Sequence, residues 1–236
     1  MKRVFLALVV FSFFSASAQT VDEVIQKYTA NMGGMDAFNK IKTLKITGTY
    51  TTQGYDLPLT INIVNGKAFR ADVEAMGTSI VRVYKDGKGW TINPMAGSTT
   101  ATDITGADLN TLKSQATLAS GLMDYKARGN QVELQGQADV EGVKTYKIKF
   151  TNKDDGKVTY YYISSSDYTM VKAESEVEVQ GKTANVEVFF SDLKEFGGVK
   201  FFMTRSQKMD GQVFQTTTYS NIDINPTIDE KIFDKP

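Results

Sequence analysis

From Ile41 onward, apolar and polar residues alternate with a period of two in short runs, "LKITGTY", "LTINIV", "AFRADVEAM", "SIVRVY" and "GWTIN", separated by Gly, Asn, Asp or Pro. Successive side chains on a strand point to opposite faces, so the pattern predicts an antiparallel meander with one face turned to a core. Strands resume at "VELQGQ" and continue through "KTYKIKF", "KVTYYYI", "TMVKAESEVEV", "TANVEVFF", "VKFFMTR" and "QVFQTTTYSNI". Two segments break the period. In "TVDEVIQKYTANMGG", Val21, Val24, Ile25, Tyr28 and Met32 fall on one helical stripe, with Thr20 and Glu23 as a capping box and Gly33-Gly34 as the stop. A short second turn, "MDAFNKI", follows. In "TGADLNTLKSQATLASGLM", Thr105 to Met123, a second stripe runs through Leu109, Leu112, Ala116, Ala119 and Met123, with Thr105 and Asp108 as the cap.

No Pro/Ser linker or compositional shift divides the chain after residue 18, so residues 19–236 read as a single domain. That many strands in one antiparallel sheet must twist and curl. The two helical segments are too few to cover such a sheet from outside. The predicted architecture is mainly β with a few α-helices: a single curled antiparallel sheet, an incomplete β-barrel of about 11 strands, with a helical lid over its concave face.

The last hairpins allow a register. With turns at Gly181 and Gly197-Gly198, Glu174, Glu176, Glu178 and Glu187 share one face, and Val177, Val179, Val186, Val188 and Phe190 share the other. The valine face is inward, joined by Phe201 and Met203, and by Tyr160 and Tyr162 if the turn before Tyr168 is tight. The outer face then receives Tyr161, Lys172, Phe189, Leu193 and Phe202. Tyr161, Lys172 and Phe189 form one row, in which the lysine covers both rings.

Composition narrows the function. "MKRVFLALVVFSFFSASA" has a charged start, an apolar stretch too short to cross a bilayer, and Ala16-Ser17-Ala18 as a cleavage site. It reads as a secretory signal peptide, cleaved after Ala18, which leaves 218 of 236 residues. No later stretch is apolar enough to span a membrane. There is no cysteine, hence no lipoprotein anchor, and export without disulfides points to a bacterial periplasm. Removing Lys2 and Arg3 leaves 25 basic against 27 acidic residues, a net of −2 without a basic cluster, so nucleic acid is set aside. With no His and no Cys, the chain has no Ser/His/Asp or Cys/His arrangement and no ordinary zinc site. No cofactor is implied.

"GKAFRADVEAMGTSIVRVYKDGKGWTINPMAG", Gly66 to Gly97, resembles the outer-membrane lipoprotein carrier (LolA/LolB-like) superfamily through Asp86-Gly87-Lys88-x-Trp90, Asn93-Pro94 and Arg70 on a preceding strand. The leading helix ending near Gly33-Gly34 and a helical segment after Pro94 fit too. The second half looks like exported carrier-like, outer membrane lipoprotein-sorting proteins of Bacteroidetes-type bacteria. The resemblance implies an incomplete barrel whose helical lid covers an apolar concavity for acyl chains of lipids or lipoproteins, taken from an inner-membrane donor or passed to an outer-membrane acceptor. In the carrier an arginine matching Arg70 holds the lid closed, but there a proline follows it, where this chain has Ala71. The same fold also serves as a lipoprotein-binding sensor.

The candidate ligand-binding residues are Arg70, Met76, Trp90, Met95, Leu112, Leu118 and Met123. Flexible methionines suit a variable guest and equally fill gaps in a core. Arg70 either latches the lid or sits on a solvated strand face, and Trp90 either lines the trough or packs beneath its turn. The expected function is non-catalytic lipid carriage. The contrasting readings are a partner-docking module on the outer ring patch at Phe189, Leu193 and Phe202, and a carboxylate hydrolase using the facing pair Glu174 and Glu187.

Overall fold

Two meanders meet edge to edge in the computed structural model, which describes residues 19–179 and 181–236. The leader read at residues 1–18 lies outside the described residues. The first meander comprises β1 (Thr43–Thr52), β2 (Tyr55–Val64), β3 (Ala68–Ala75), β4 (Thr78–Lys85), β5 (Lys88–Asn93) and β6 (Ser98–Ile104). The second comprises β7 (Gln131–Val140), β8 (Val143–Thr151), β9 (Val158–Ser164), β10 (Met170–Val179), β11 (Lys182–Phe196), β12 (Val199–Met209) and β13 (Gln212–Ile224). β1 pairs antiparallel with β13, which makes one sheet of thirteen strands in the order β6-β5-β4-β3-β2-β1-β13-β12-β11-β10-β9-β8-β7. The sheet is an incomplete barrel whose free edges are β6 and β7. Twelve of the strands are the alternating runs read from sequence, and the thirteenth is "STTATDI", β6, an edge strand too polar to show an apolar alternation. The residues after Pro94 make only a single 3-10 turn, Pro94–Ala96, before β6 begins.

The helices lie on the concave side. α1 (Val21–Asn31) starts at the Thr20/Glu23 capping box and buries Val24, Ile25 and Tyr28. After it the chain reverses at Gly33, with φ at +114°, where an added Cβ would collide with the Gly198 carbonyl of the β11–β12 turn. Glycine is required there by both backbone angle and space. α2 (Met35–Lys40) follows and buries Phe38, which packs edge-on against Phe201 at 6.5 Å. The Thr105–Met123 stripe is helical only over α3 (Gly106–Gln115), and the Thr105 side chain makes no cap hydrogen bond. Beyond it the chain turns irregularly to α4 (Tyr125–Arg128). The stripe's buried positions survive, because Ala116 and Ala119 still face the core from non-helical backbone.

The main core fills the concavity, from Ile46, Leu59, Ile61 and Phe69 on one side to Ile148, Ile163 and Met203 on the other. A second, smaller cluster of Ala68, Val81, Val83, Trp90 and Phe233 lies on the opposite face of β3–β5. Strand parity separates the two: Phe69 belongs to the main core, and its neighbour Ala68 to the second cluster.

Candidate functional site

Residues 105–130 link the end of one edge strand, β6, to the start of the other, β7, so they bridge the seam where the barrel fails to close. The underside of this lid is aliphatic. Leu112 and Leu122 are fully buried, Ala116 and Ala119 nearly so, and Leu109, Leu118 and Met123 pack partly buried against the main core. Full burial of a leucine such as Leu112 or Leu122 is worth about 1.5–3 kcal/mol. The concavity is therefore occupied by the lid's own leucines together with Ile148 and Ile163.

Asn65, in the β2–β3 turn, fastens the middle of the lid. Its carboxamide nitrogen donates to the Ile41 carbonyl at 2.9 Å, and its oxygen accepts from the Leu118 amide at 3.2 Å. The adjacent Gly66 amide donates to the Ala116 carbonyl at 2.8 Å. The ends are held by exposed ion pairs: Lys113 with Asp154 at 3.0 Å, and Lys126 with Asp22 of α1 at 2.6 Å, where Asp22 also accepts from the Tyr125 hydroxyl. Those bonds from Lys126 and Tyr125 hold the Asp22 carboxyl below the usual carboxylate range, and the bond from Lys113 does the same for Asp154.

Besides a cleft of about 480 Å³ between Asp22, Tyr125 and β7, two larger ones flank the lid among the described residues. One, of about 580 Å³, opens between α1 and residues 123–127, with Ile25, Ala30, Met123 and Ala127 in its wall. The Thr29 hydroxyl in the same wall is buried without a hydrogen-bond partner among the described residues. The other, of about 610 Å³, lies between α3 and β8–β10 and has a polar mouth.

The seven candidate residues divide among four places. Leu112, Leu118 and Met123 come together under the lid. Met76 and Met95 are exposed, Met76 in the β3–β4 turn and Met95 in the 3-10 turn after β5. Arg70 and Trp90 are on the convex side, opposite the lid. Arg70 pairs with Asp72 at 2.7 Å and donates through Nη1 to the Ile232 carbonyl at 2.6 Å. The Trp90 indole N–H donates to the Phe233 carbonyl at 3.1 Å. Both grip the C-terminal residues, where a 3-10 turn at Glu230–Phe233 inserts Phe233 beneath them. Strand parity explains the placement: Phe69 and Ala71 on either side of Arg70 face the main core, so Arg70 cannot.

The register of the last hairpins is as read from sequence at Glu174 opposite Glu187, and it departs elsewhere at two irregularities. A slip between Met170 and Lys172 pairs Lys172 with Tyr162 rather than Tyr161. Tyr161 therefore faces inward, against Phe150 at 5.7 Å, and Tyr162 joins Lys172 on the convex face, with the ammonium 4.4 Å from its ring centroid. Burial pushes the Tyr161 phenol up to about 12. The positive φ of Asp192 breaks alternation in β11, leaving Ser191 and Asp192 both exposed, so Phe190 and Leu193 both reach the core. Phe202 follows its partner Leu193 and packs on Phe190 at 5.3 Å. Of the outer rings only Phe189 remains outside, covered by Lys208 at 4.0 Å.

Glu174 and Glu187 share one ammonium, Lys172, at 2.9 and 2.6 Å. Burial raises the Glu174 pKa, but the hydrogen bonds from Lys172, Tyr162 and Asn185 outweigh it, and the carboxyl lies below its ordinary range. A general acid at neutral pH needs the opposite shift.

No family model and no curated protein matches the sequence. Solved structures do match. A LolA superfamily protein from Nitrosomonas europaea superposes with a TM-score of 0.60 at 13% identity, over 92% of this chain and 99% of that one. A DUF1329 family protein from Desulfovibrio piger gives 0.61 at 12% identity, over 92% and 98%. A domain assigned to outer membrane lipoprotein sorting, from Vibrio parahaemolyticus, gives 0.61 at 10% identity, over 92% and 96%. With the unclosed sheet and its helical lid, these likenesses show that the chain shares the fold of the LolA superfamily protein and of the other two structures.

Proposed function

We propose that the protein is an exported, non-catalytic carrier of the periplasm that holds acyl chains of lipids or lipoproteins in the concavity beneath its lid, on a route to the outer membrane. The observation that carries this reading is the aliphatic underside of a segment that bridges the open seam. Leucines leaving the core and methylenes entering it exchange like for like, since each buried methylene is worth about 0.8 kcal/mol. A lid that fills the trough when empty and lifts off it when loaded needs no catalytic group. The superfamily fold supports the reading, and Leu112, Leu118 and Met123 are the residues assigned to the acyl chain.

The test is native mass spectrometry with lipid extraction, on mature protein purified from its own periplasm without detergent. Co-purifying acyl species, lost in Leu118→Asp, are the expected result. Because Leu118 is only partly buried, that variant keeps the fold better than Leu112→Asp, and circular dichroism checks that it does. A clean apo mass that also takes up no added fatty acid would sink the reading.

A further inference from the structure

The cleft between α3 and β8–β10 changes character along its floor. On the inner face of β8 and β9, Ile148 and Ile163 are fully buried, Phe150 and Tyr161 come next, and Thr159 and Asn152 reach the mouth. Two residues of strand span roughly 6.6 Å, so the floor passes from apolar core to polar rim within about 13 Å, a short acyl segment and its headgroup. The walls are charged. Lys113, Arg128 and Lys157 line the cleft against one carboxylate, Asp154, in a chain whose formal net charge is 0. Lys157 has no ion-pair partner among the described residues, and Arg128 is held by Asp124 at 3.3 Å and the Ala119 carbonyl at 2.9 Å. Two carboxamides add donors. The Asn130 oxygen accepts from the Lys153 amide at 3.1 Å, and the Asn152 oxygen accepts from the Asp154 amide at 2.8 Å, so in both residues the NH₂ end is left to donate. Asn130 spends one N–H on a long 3.5 Å bond to the Gly121 carbonyl. Gly121 itself lets the lid backbone down onto the floor: a Cβ there would sit 3.2 Å from the Phe150 ring.

We propose that this cleft binds the anionic headgroup, carboxylate or phosphate, of an acyl-chain amphiphile whose tail enters the concavity past Phe150 and Tyr161. The proposal rests on the carrier reading and adds a substrate class to it. Lys157, Lys113 and Arg128 supply the charge, and the carboxamides supply directional donors. Asp154 competes with the headgroup for Lys113.

The test is displacement of a fluorescent hydrophobic probe by dodecanoate, dodecyl phosphate and methyl dodecanoate, with inorganic phosphate as the headgroup alone. Wild type is compared with Lys113→Gln/Lys157→Gln and with Asp154→Asn, all at exposed positions that tolerate change. Expected is a preference of about tenfold or more for the anionic chains over the ester, erased in the double lysine variant, with the ester reporting separately any change that loss of the Lys113–Asp154 pair makes to the lid itself. Asp154→Asn should tighten anion binding about two- to threefold. Whichever of carboxylate or phosphate binds more tightly identifies the headgroup. Ester and anions binding alike in every variant would overturn the headgroup site and leave the carrier reading standing. Failure of all three chains would remove the carrier reading, and the headgroup site with it. Inorganic phosphate binding as tightly as dodecyl phosphate would overturn the amphiphile claim in favour of a separate anion site.

Discussion

The lid and the C-terminal strap cover opposite faces of one sheet. Both are tied by hydrogen bonds to main-chain groups, through Asn65 and Gly66 for the lid, yet they differ in what lies beneath them. Under the strap, two side chains aim N–H groups at main-chain carbonyls, Arg70 at Ile232 and Trp90 at Phe233, and the Phe233 ring is locked beneath them. Directional bonds of this kind fix one geometry, and a buried carbonyl stripped of its donor costs about 1–3 kcal/mol. Under the lid the contacts are leucine and alanine on isoleucine and phenylalanine, which another hydrocarbon can replace. Under the proposed function the strap stays and the lid exchanges, although both bury large apolar side chains.

The sharpest way to break this comparison is to remove the strap's ring. Phe233→Ala is expected to cost about 3–5 kcal/mol of unfolding free energy by chemical denaturation, because the small second cluster has little means of closing the cavity. Acyl-chain affinity, measured where the variant is folded, should not move. Next comes Arg70→Ala, expected to cost about 1–3 kcal/mol by stranding the Ile232 carbonyl and the Asp72 carboxylate, again with lipid affinity intact. If instead Arg70→Ala weakened acyl binding at unchanged stability, the arginine would be working on the lid after all, and the two faces would not be independent.

These two residues also mark where sequence reading runs out. Period-two runs, the Thr20/Glu23 box and the Glu174–Glu187 pairing are local signals, and they place every strand but β6, α1 and one hairpin correctly. Parity is local too, and it already sets Arg70 on the face away from Phe69 and Ala71. What occupies that face comes from 143 and 162 residues away, since Phe233 and Ile232 reach β5 and β3 only in the folded chain. The misplaced rings have a different cause: a one-residue slip at β10 and a left-handed backbone at Asp192 each invert the face of what lies across from them. Asn65 was invisible for the plainest reason. In sequence it is a turn residue, and its link to Leu118 spans 53 positions.

Asn65→Ala sharpens the comparison from the lid side. It deletes the acceptor for the Leu118 amide and the donor to Ile41, so the expected global cost is about 1–2 kcal/mol. Hydrogen exchange should show more than thermal melting does, with protection falling at residues 116–123 and holding at 230–235. Uptake of fatty acid should quicken, since opening requires fewer bonds to part. Equal loss of protection at both segments would mean that lid and strap open together.

The smallest effect separates exposed ion pairs from shielded ones. Asp22 and Asp154 at the lid ends and Glu174 on the convex face all have lowered pKa values, Asp22 and Asp154 through their lysine bonds and Glu174 because such bonds outweigh its burial. A carboxyl whose folded pKa is depressed adds stability that is fully present above its unfolded value, near 3.8 for Asp and 4.5 for Glu, and that is lost as pH falls through the folded value. Acid below about pH 4 should therefore loosen both faces only slightly, and pH alone does not distinguish them. Salt does. The lid pairs are more than half exposed on both partners, whereas Lys172 is 11% exposed between Glu174 and Glu187. At 1 M salt the screening length is about 3 Å, so the lid pairs lose their attraction while the sheltered Lys172 triad keeps most of its own. Faster exchange at residues 113–126 in high salt at neutral pH, with residues 172–176 unchanged, is the expected outcome; equal sensitivity of both segments would show that the Lys172 triad is as open to water as the lid.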